Sequence, residues 1–403
     1  MRYETTHPWI DFNLDLRSLD YHMWMILGEV ESKCEHIAGV PLSPAVAERM
    51  HLLYLAKGAW ATTAIEGNTL SEEDVRKRVN GDLLLPPSKE YLGQEIDNVV
   101  AGCNLITERL TSDEFPQLTT GLIIEFNQLV FDKLEVAPEV IPGQLRQHSV
   151  GVASYLAPPA EDCRYLLDAL CEWLNGAAFR PPGNQIAFGV IRAVIAHLYI
   201  AWIHPFGDGN GRTARLLEVQ ILLAAGVPSP AAHLLSNHYN ATRAVYFLRL
   251  DASSKTQTGV LEFIKYALQG FVDGLKEQLD LIRTQQWDVA WRQSIYDAFP
   301  ELPSETDKRR RDLALEITLW HGGEVIPHHV LRDMSGKTVR MYAGKTNRTI
   351  QRDLNILADM GLVAISKDGV RARRERILQF LPLRRVQRER EDMVALKRAN
   401  KKR

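Results

Sequence analysis

The sequence predicts a mainly α protein: a helical bundle with one small β-hairpin, followed by a winged helix-turn-helix of three helices and a β-wing. Three observations predict it. Apolar residues recur at helical spacing through most of the first 275 positions, most clearly in Asn184–Trp202. Within that region strand-like patterning is confined to Gly143–Pro159, where Val150, Val152 and Tyr155 stand among Gly, Ser and Pro. Beyond Pro300 and Pro303 the composition shifts, and three helical segments end in LVAIS, KDG and VRAR, which read as strand, Asp-Gly turn and strand.

Taken in order, residues 1–115 form an N-terminal helical region. Ala45–Lys57 places Val46, Met50, Leu53 and Tyr54 on one helical face. Ser71–Asn80 opens on Ser71, an N-cap residue with Asp74 three positions on, and Pro86–Pro87 marks a loop. Residues 116–275 are a second helical block, in which the apolar helices Asn184–Trp202 and Arg212–Ala225 flank a short glycine-rich stretch. Residues 276–303 read as a helical linker and 304–382 as the winged-helix domain, with helices Asp307–Trp320, Pro327–Met334 and Thr346–Met360 and a C-cap glycine at Gly361. Residues 383–403 are a basic tail.

Composition narrows the function classes. At about 150 residues per domain, 403 residues make two or three domains. A net charge of −2 excludes a whole-protein field that draws in nucleic acid or membrane. Cys34, Cys103, Cys163 and Cys171 are scattered and read as reduced thiols of a cytoplasmic protein. The polar start MRYETTHPWIDF is no secretory signal. No apolar run is expected to reach the roughly 18 residues of a membrane helix, so no membrane partner is expected.

The glycine-rich stretch is HPFGDGNGRTAR, residues 204–215. Asp-Gly and Asn-Gly are turn dipeptides, so a tight helix–helix connection is the plain reading. A calcium loop would need Gly and Glu where Thr213 and Val219 stand. The two GKT triplets, Gly336–Thr338 and Gly344–Thr346, lack the earlier glycine of a P-loop, having Leu331 and Val339 there. Chemistry fits the stretch better. Gly209 and Gly211 let backbone N–H groups approach an anion, and the following helix N-terminus favours phosphate. Arg212 and Arg215 share the first turn and can pair with further phosphates. Asp208 is a hard ligand suited to magnesium that arrives with a nucleotide. Asn210 can donate to a phosphoryl oxygen, and His204 has the pKa of a general base. These are the parts of a phosphoryl or nucleotidyl transfer site.

The stretch resembles the Fic signature, H-x-F-x-D/E-G-N-G-R-x-x-R, at every fixed position. A second stretch, TTAIEGN, is similar to the family's inhibitory motif S/T-x-x-x-E-G/N, with Thr62 four residues before Glu66. The resemblance covers roughly residues 40–270. It implies transfer of AMP from ATP to a Ser, Thr or Tyr hydroxyl of a target protein or of the chain itself. His204 is then the base, Asp208 the Mg²⁺ ligand, and Gly209, Asn210 and Gly211 the cradle of the α- and β-phosphates. Arg212 and Arg215 take the phosphate tail, and Tyr239, Asn240 and Tyr246 lie near the adenine. Glu66 pairs with Arg215 and inhibits, and in some family members the same glutamate supports removal of AMP. The hairpin resembles the Fic flap, which pairs with an extended target segment by strand addition.

The remaining histidines read as structural, His197 as a core residue of its helix and His328–His329 as the start of another. Arg348, Thr349 and Arg352 on the third helix of the C-terminal domain can face a DNA groove, and Arg371 and Arg373 on the wing can touch phosphates. The alternative function is therefore a DNA-binding regulator whose Fic site senses nucleotide or modifies only itself. ATP, a target hydroxyl, DNA and a second copy of the chain are the partners this reading allows.

Overall fold

The computed structural model describes residues 1–112, 117–152, 155–256, 258–301, 304–320 and 324–378. The basic tail lies outside the described residues. The chain divides into two compact units, Met1–Leu279 and Asp280–Arg403.

The first unit is built from α1 (Tyr3–Thr6), α2 (Tyr21–Gly39), α3 (Pro44–Ile65), α4 (Glu72–Val79), α5 (Glu90–Thr111) and α6 (Thr120–Val130). The hairpin β1 (Gly151–Val152) and β2 (Tyr155–Leu156) follows, then α7 (Cys163–Asn175), α8 (Gln185–Ile203), α9 (Asn210–Ala224), α10 (Leu234–Ala241), α11 (Arg243–Ser253) and most of α12 (Gly259–Asp297). The hairpin is antiparallel and pairs Gly151 with Leu156 and Val152 with Tyr155. It lies within Gly143–Pro159, the stretch expected to hold a short hairpin.

α8 and α9 form the centre. α8 is buried on nearly every side, so it shows no polar face. Its 19 residues are long and apolar enough to cross a membrane, which corrects the expectation that no run reaches that length. The physical reason is packing: 89% of the stretch is buried against protein, and α2, α7 and α9 lie along it. Gly189 permits the close pass of α9, since a Cβ there would collide with that of Ala225. α3, α5 and α6 surround α9. α3 is longer than the expected Ala45–Lys57 and runs on to Ile65, because its second half, including Ala56, Ala59 and Ala61, is buried.

The second unit contains the end of α12, α13 (Glu305–Leu319), α14 (Gly336–Met341), α15 (Asn347–Asp359) and the hairpin β3 (Val363–Ile365) and β4 (Val370–Ala372). Its core joins Leu313, Ile317, Ile326, Leu354, Leu357 and Val370 to Trp291 and Ile295 of α12. The stretch 276–303 is therefore no free linker: its second half supplies core to this unit. Two local expectations also change. Pro327–Met334 is not helical, since its bonds, Val330 N–H to Pro327 O and Asp333 N–H to Val330 O, are single turns. The helix starts later, where Ser335 and Thr338 form a capping box for α14. In the hairpin turn Ser366 N–H meets Gly369 O, so Lys367–Asp368 is its centre rather than Asp368–Gly369.

Candidate active site

The site is assembled where α8 ends and α9 begins. His204 terminates α8 in the left-handed region, at φ 47° and ψ 57°, with its N–H on Ile200 O. A non-glycine residue reaches that region at a cost, so its surroundings must hold it. Arg146 does so: its N–H donates to Pro205 O at 2.9 Å and its Nε to His204 O at 2.7 Å. The same guanidinium bonds to His148 O and Pro158 O on either side of the hairpin, tying the hairpin to the loop. Burial pushes the His204 pKa down. The Ala201 carbonyl opposes this, Arg146 adds to it, and the Glu66 and Asp208 carboxylates oppose it further. The net result is a neutral ring at neutral pH.

Between the helices, Asn210 bonds to the Phe206 backbone twice, Oδ1 accepting from N–H and Nδ2 donating to O, each at 3.0 Å. Its side chain thus closes the loop, using one of the two Nδ2 hydrogens. Phe206 is buried beneath. Gly209 has φ 75°, and a Cβ there would collide with the Phe131 ring. Asn127 Nδ2 donates to Asp208 O at 3.0 Å. Thr213 N–H is the first to bond back, to Gly209 O. The N–H groups of Asn210, Gly211 and Arg212 have no intrahelical acceptor and form the anion-binding end of α9.

Arg215 is 1% exposed and points along that end. Its Nη2 donates to Thr62 O at 3.0 Å and to Glu66 Oε1. Its Nε and Nη1 are buried without a partner among the described residues. The Glu66 carboxylate lies directly over Gly211, where a Cβ would collide with it. Burial raises the Glu66 pKa, but attraction and hydrogen bonding by Arg215, then Arg212, outweigh it and hold the group below the usual carboxylate range. Its side chain stays 39% accessible.

Glu66 is presented by the end of α3. Gly67 has φ 105°, Gly67 N–H bonds to Ala64 O and Asn68 N–H to Thr63 O, which is a Schellman closure. Asn68 Nδ2 then donates to Leu92 O at 2.9 Å and Glu95 Oε2 at 2.8 Å, pinning the turn to α5. Arg243 Nη2 donates to Ile65 O at 2.7 Å from α11. Glu95 also receives Arg212 Nη1 at 3.4 Å, so one carboxylate links the Glu66–Asn68 turn to Arg212. Arg212 lies over the Phe131 ring at 4.7 Å.

Asp208 is exposed at the mouth. Its Oδ1 accepts from Gly209 N–H, and Oδ2 is 3.8 Å from Arg212 Nη2. A cavity of about 690 Å³ opens beside Asp208 and Arg212, walled by Glu95, Phe131 and the 133–137 loop. No group of three His, Cys, Asp or Glu residues able to hold a metal occurs among the described residues. Asp208 suits a cation that brings most of its ligands with it, as Mg²⁺ does with a nucleotide.

The adenine candidates divide. Tyr239 and Tyr246 are buried, and their hydroxyls are taken: Tyr239 OH by Glu218 Oε1 at 3.0 Å, Tyr246 OH by His197 Nε2 at 3.0 Å. They form the wall behind Arg215 with His197 and Phe263, and they cannot touch a nucleotide without leaving it; this corrects their assignment as nucleotide contacts. Asn240 is half-buried on α10. His197 is the core histidine that was expected. Arg146, Asn127 and Glu95 were missed by sequence reading. Each is a lone polar residue far along the chain from the loop it holds, so no spacing marks it.

A glycine-rich connection that aims a helix N-terminus, a neutral histidine and two buried arginines at one cleft defines a Fic-type site. Residues 117–222 match the Fic/DOC family. "Protein adenylyltransferase fic-1" of Caenorhabditis briggsae is 24% identical over 291 residues, covering 72% of this chain and 52% of the relative. "Protein adenylyltransferase Fic" of Nematostella vectensis is 26% identical over 223 residues, covering 55% and 49%. The chain spans about half the length of the curated relatives it matches. A solved Fic family protein from Desulfovibrio desulfuricans aligns with TM-score 0.53 at 18% identity, covering 88% of this chain and 96% of that one. Fic-1 of Caenorhabditis elegans gives TM-score 0.53 at 23%, covering 66% and 74%. These likenesses show the Fic fold.

Proposed function

We propose that the protein is an adenylyltransferase that moves AMP from ATP to a hydroxyl of a target protein or of itself, and that Glu66 holds it inactive. The observation that carries the proposal is the Glu66–Arg215 pair seated over Gly211 at the anion-binding end of α9. In the working enzyme the Asn210, Gly211 and Arg212 N–H groups bind phosphate oxygens, and Arg215 uses its free Nε and Nη1 on the phosphate tail. His204, neutral, takes the proton of the incoming hydroxyl. Mg²⁺ held by Asp208 would neutralise phosphate charge when bound with ATP. While Glu66 occupies Arg215, the phosphate tail is displaced and the α-phosphate misses its in-line position. A misplacement of about 1 Å costs roughly 100-fold.

The test is the initial rate of self-modification with labelled ATP. Glu66→Gly should transfer AMP at least tenfold faster than wild type, Arg215→Ala added to it should cancel the gain, and His204→Ala should abolish transfer while retaining ATP binding. A Glu66→Gly protein no faster than wild type sinks the inhibitory role, and label entering His204→Ala at the wild-type rate sinks the base.

A winged-helix role for the second unit is supported by α15, where Arg348 and Arg352 are exposed. The wing is less available, since Arg371 is bound bidentately by Glu375. We read this unit as placing the enzyme on DNA or on its target; a gel shift that depends on Arg348 separates the two. Four free, buried cysteines support a cytoplasmic setting.

A further inference from the structure

α8 carries one formal charge among its 19 residues, that of Arg192. Arg192 is 7% exposed. Its Nη2 donates to Asn175 Oδ1 at 3.0 Å, and Arg180 Nη2 approaches the same amide oxygen at 3.4 Å. Its Nε is buried and has no partner among the described residues. Burial, then the like charge of Arg180, pulls the Arg192 pKa down to about 10, so Arg192 stays cationic at neutral pH. One neutral amide oxygen is thus shared by two guanidiniums, and no described carboxylate pairs with either. The carboxylate of Glu31 near this end of α8 is engaged elsewhere, accepting from Ala187 N–H at 2.7 Å. A buried charge without a counter-charge is costly, and proteins pair it.

The two arginines line a cavity of about 90 Å³ together with Phe179, Gln185, Gly189 and Ala225. Small residues on α8 and α9 leave the space, and the exposed Arg180 and Gln185 stand at its mouth. A water's share of liquid volume is roughly 30 Å³, so the cavity has room for one small anion and none for a nucleotide. We propose that this cavity binds an oxyanion of phosphate or carboxylate size between Arg180 and Arg192, as a site separate from the catalytic one. Arg192 precedes His204 by about three helical turns, roughly 18 Å along α8. The guanidinium forks supply paired N–H donors, and the buried Nε gains the acceptor it lacks.

The experiment is thermal unfolding of the full chain in potassium phosphate, potassium acetate and potassium chloride at matched ionic strength. Wild type, Arg180→Ala, Arg192→Met and Arg215→Ala are compared, the last removing a ligand of the catalytic anion site. The midpoint should rise saturably with the oxyanion in wild type and in Arg215→Ala. In Arg180→Ala the anion should bind about tenfold more weakly, the loss of one charge-assisted bond. In Arg192→Met the response should vanish. A larger response to phosphate than to acetate identifies a phosphate-type ligand, and the reverse a carboxylate. Equal responses in all four proteins, or a wild-type response no larger than that to chloride, overturn the proposal. Should Arg192→Met fail to fold, the exposed Arg180→Ala decides alone. Neither outcome depends on AMP transfer.

Discussion

As the proposed base, His204 depends on its charge state, and its surroundings set that state. Burial lowers its pKa below the ordinary 6.5, with Ala201, Glu66 and Asp208 pulling partly back. A base must be unprotonated, so transfer should be flat through neutral pH and fall only as pH drops through a value below 6.5. Removing Glu66 removes one of the groups that raise this pKa, so the acidic limb of Glu66→Gly should lie no higher. Glu66 itself has a depressed pKa, so its pairing with Arg215 persists above the carboxylate range and is lost only when pH falls through that lowered value. Wild type should therefore show no activation between pH 6 and 5. The check is the pH dependence of kcat/KM for self-modification; an acidic limb at or above pH 7 contradicts a neutral, buried base.

At the scale of elements, the proposed inhibition rests on the end of α3 and the turn that fixes it. Glu66 is held by the Schellman closure at Gly67, by Asn68 on Leu92 and Glu95, and by Arg243 on Ile65. Asn68→Ala deletes the tie to α5 and leaves Glu66 chemically intact. Each net hydrogen bond contributes about 0.5–1.5 kcal/mol, so the variant should be about 1–2 kcal/mol less stable. Basal transfer should rise, by less than in Glu66→Gly, because the carboxylate still finds Arg215 part of the time. Unfolding and initial rates, measured together, check this; a destabilised variant with unchanged rate would mean that the turn does not position the glutamate. The same elements show what a sequence reveals. Residues 204–215 and Glu66 were legible because local chemistry fixes their spacing: glycines for the turn, arginines one helical turn apart. α8 and α9 were legible from apolar content. The partners from elsewhere in the chain were not, since Arg146, Asn127 and Glu95 meet the loop only through tertiary packing. Tyr239 and Tyr246 misled because an aromatic near a nucleotide site and an aromatic in a core look alike in sequence. α14 was misplaced because Pro327 opens a turn, and the capping pair Ser335 and Thr338 lies beyond it.

At the scale of the whole molecule the question is where one core stops and the next starts. Proline and polar composition put the boundary at 276–303, with the second domain beginning at Ser304. Packing puts the division at Leu279 and Asp280. Trp291 is 1% exposed and donates from Nε1 to Thr318 Oγ1 at 2.9 Å, and Ile295 is buried beside it against Leu313 and Ile317. Asp288 accepts from Arg374 Nη1 at 2.6 Å. A fragment that begins at Ser304 lacks all three. Losing a buried tryptophan alone costs about 3–5 kcal/mol, which is a large part of the roughly 5–15 kcal/mol a domain has. We expect residues 280–403 to unfold cooperatively, and residues 304–403 to bind a hydrophobic dye and melt without a sharp transition. The complementary pieces behave in the opposite sense. A chain ending at Leu279 should keep the Fic unit folded and able to modify itself once Glu66 is replaced by Gly. One ending at Pro303 carries Trp291 and Ile295 with no core to enter, and should be the less soluble of the two. Calorimetry on the four fragments makes the comparison. A cooperative transition for 304–403 equal to that of 280–403 would show that the end of α12 adds nothing to the second core, and would return the boundary to the prolines.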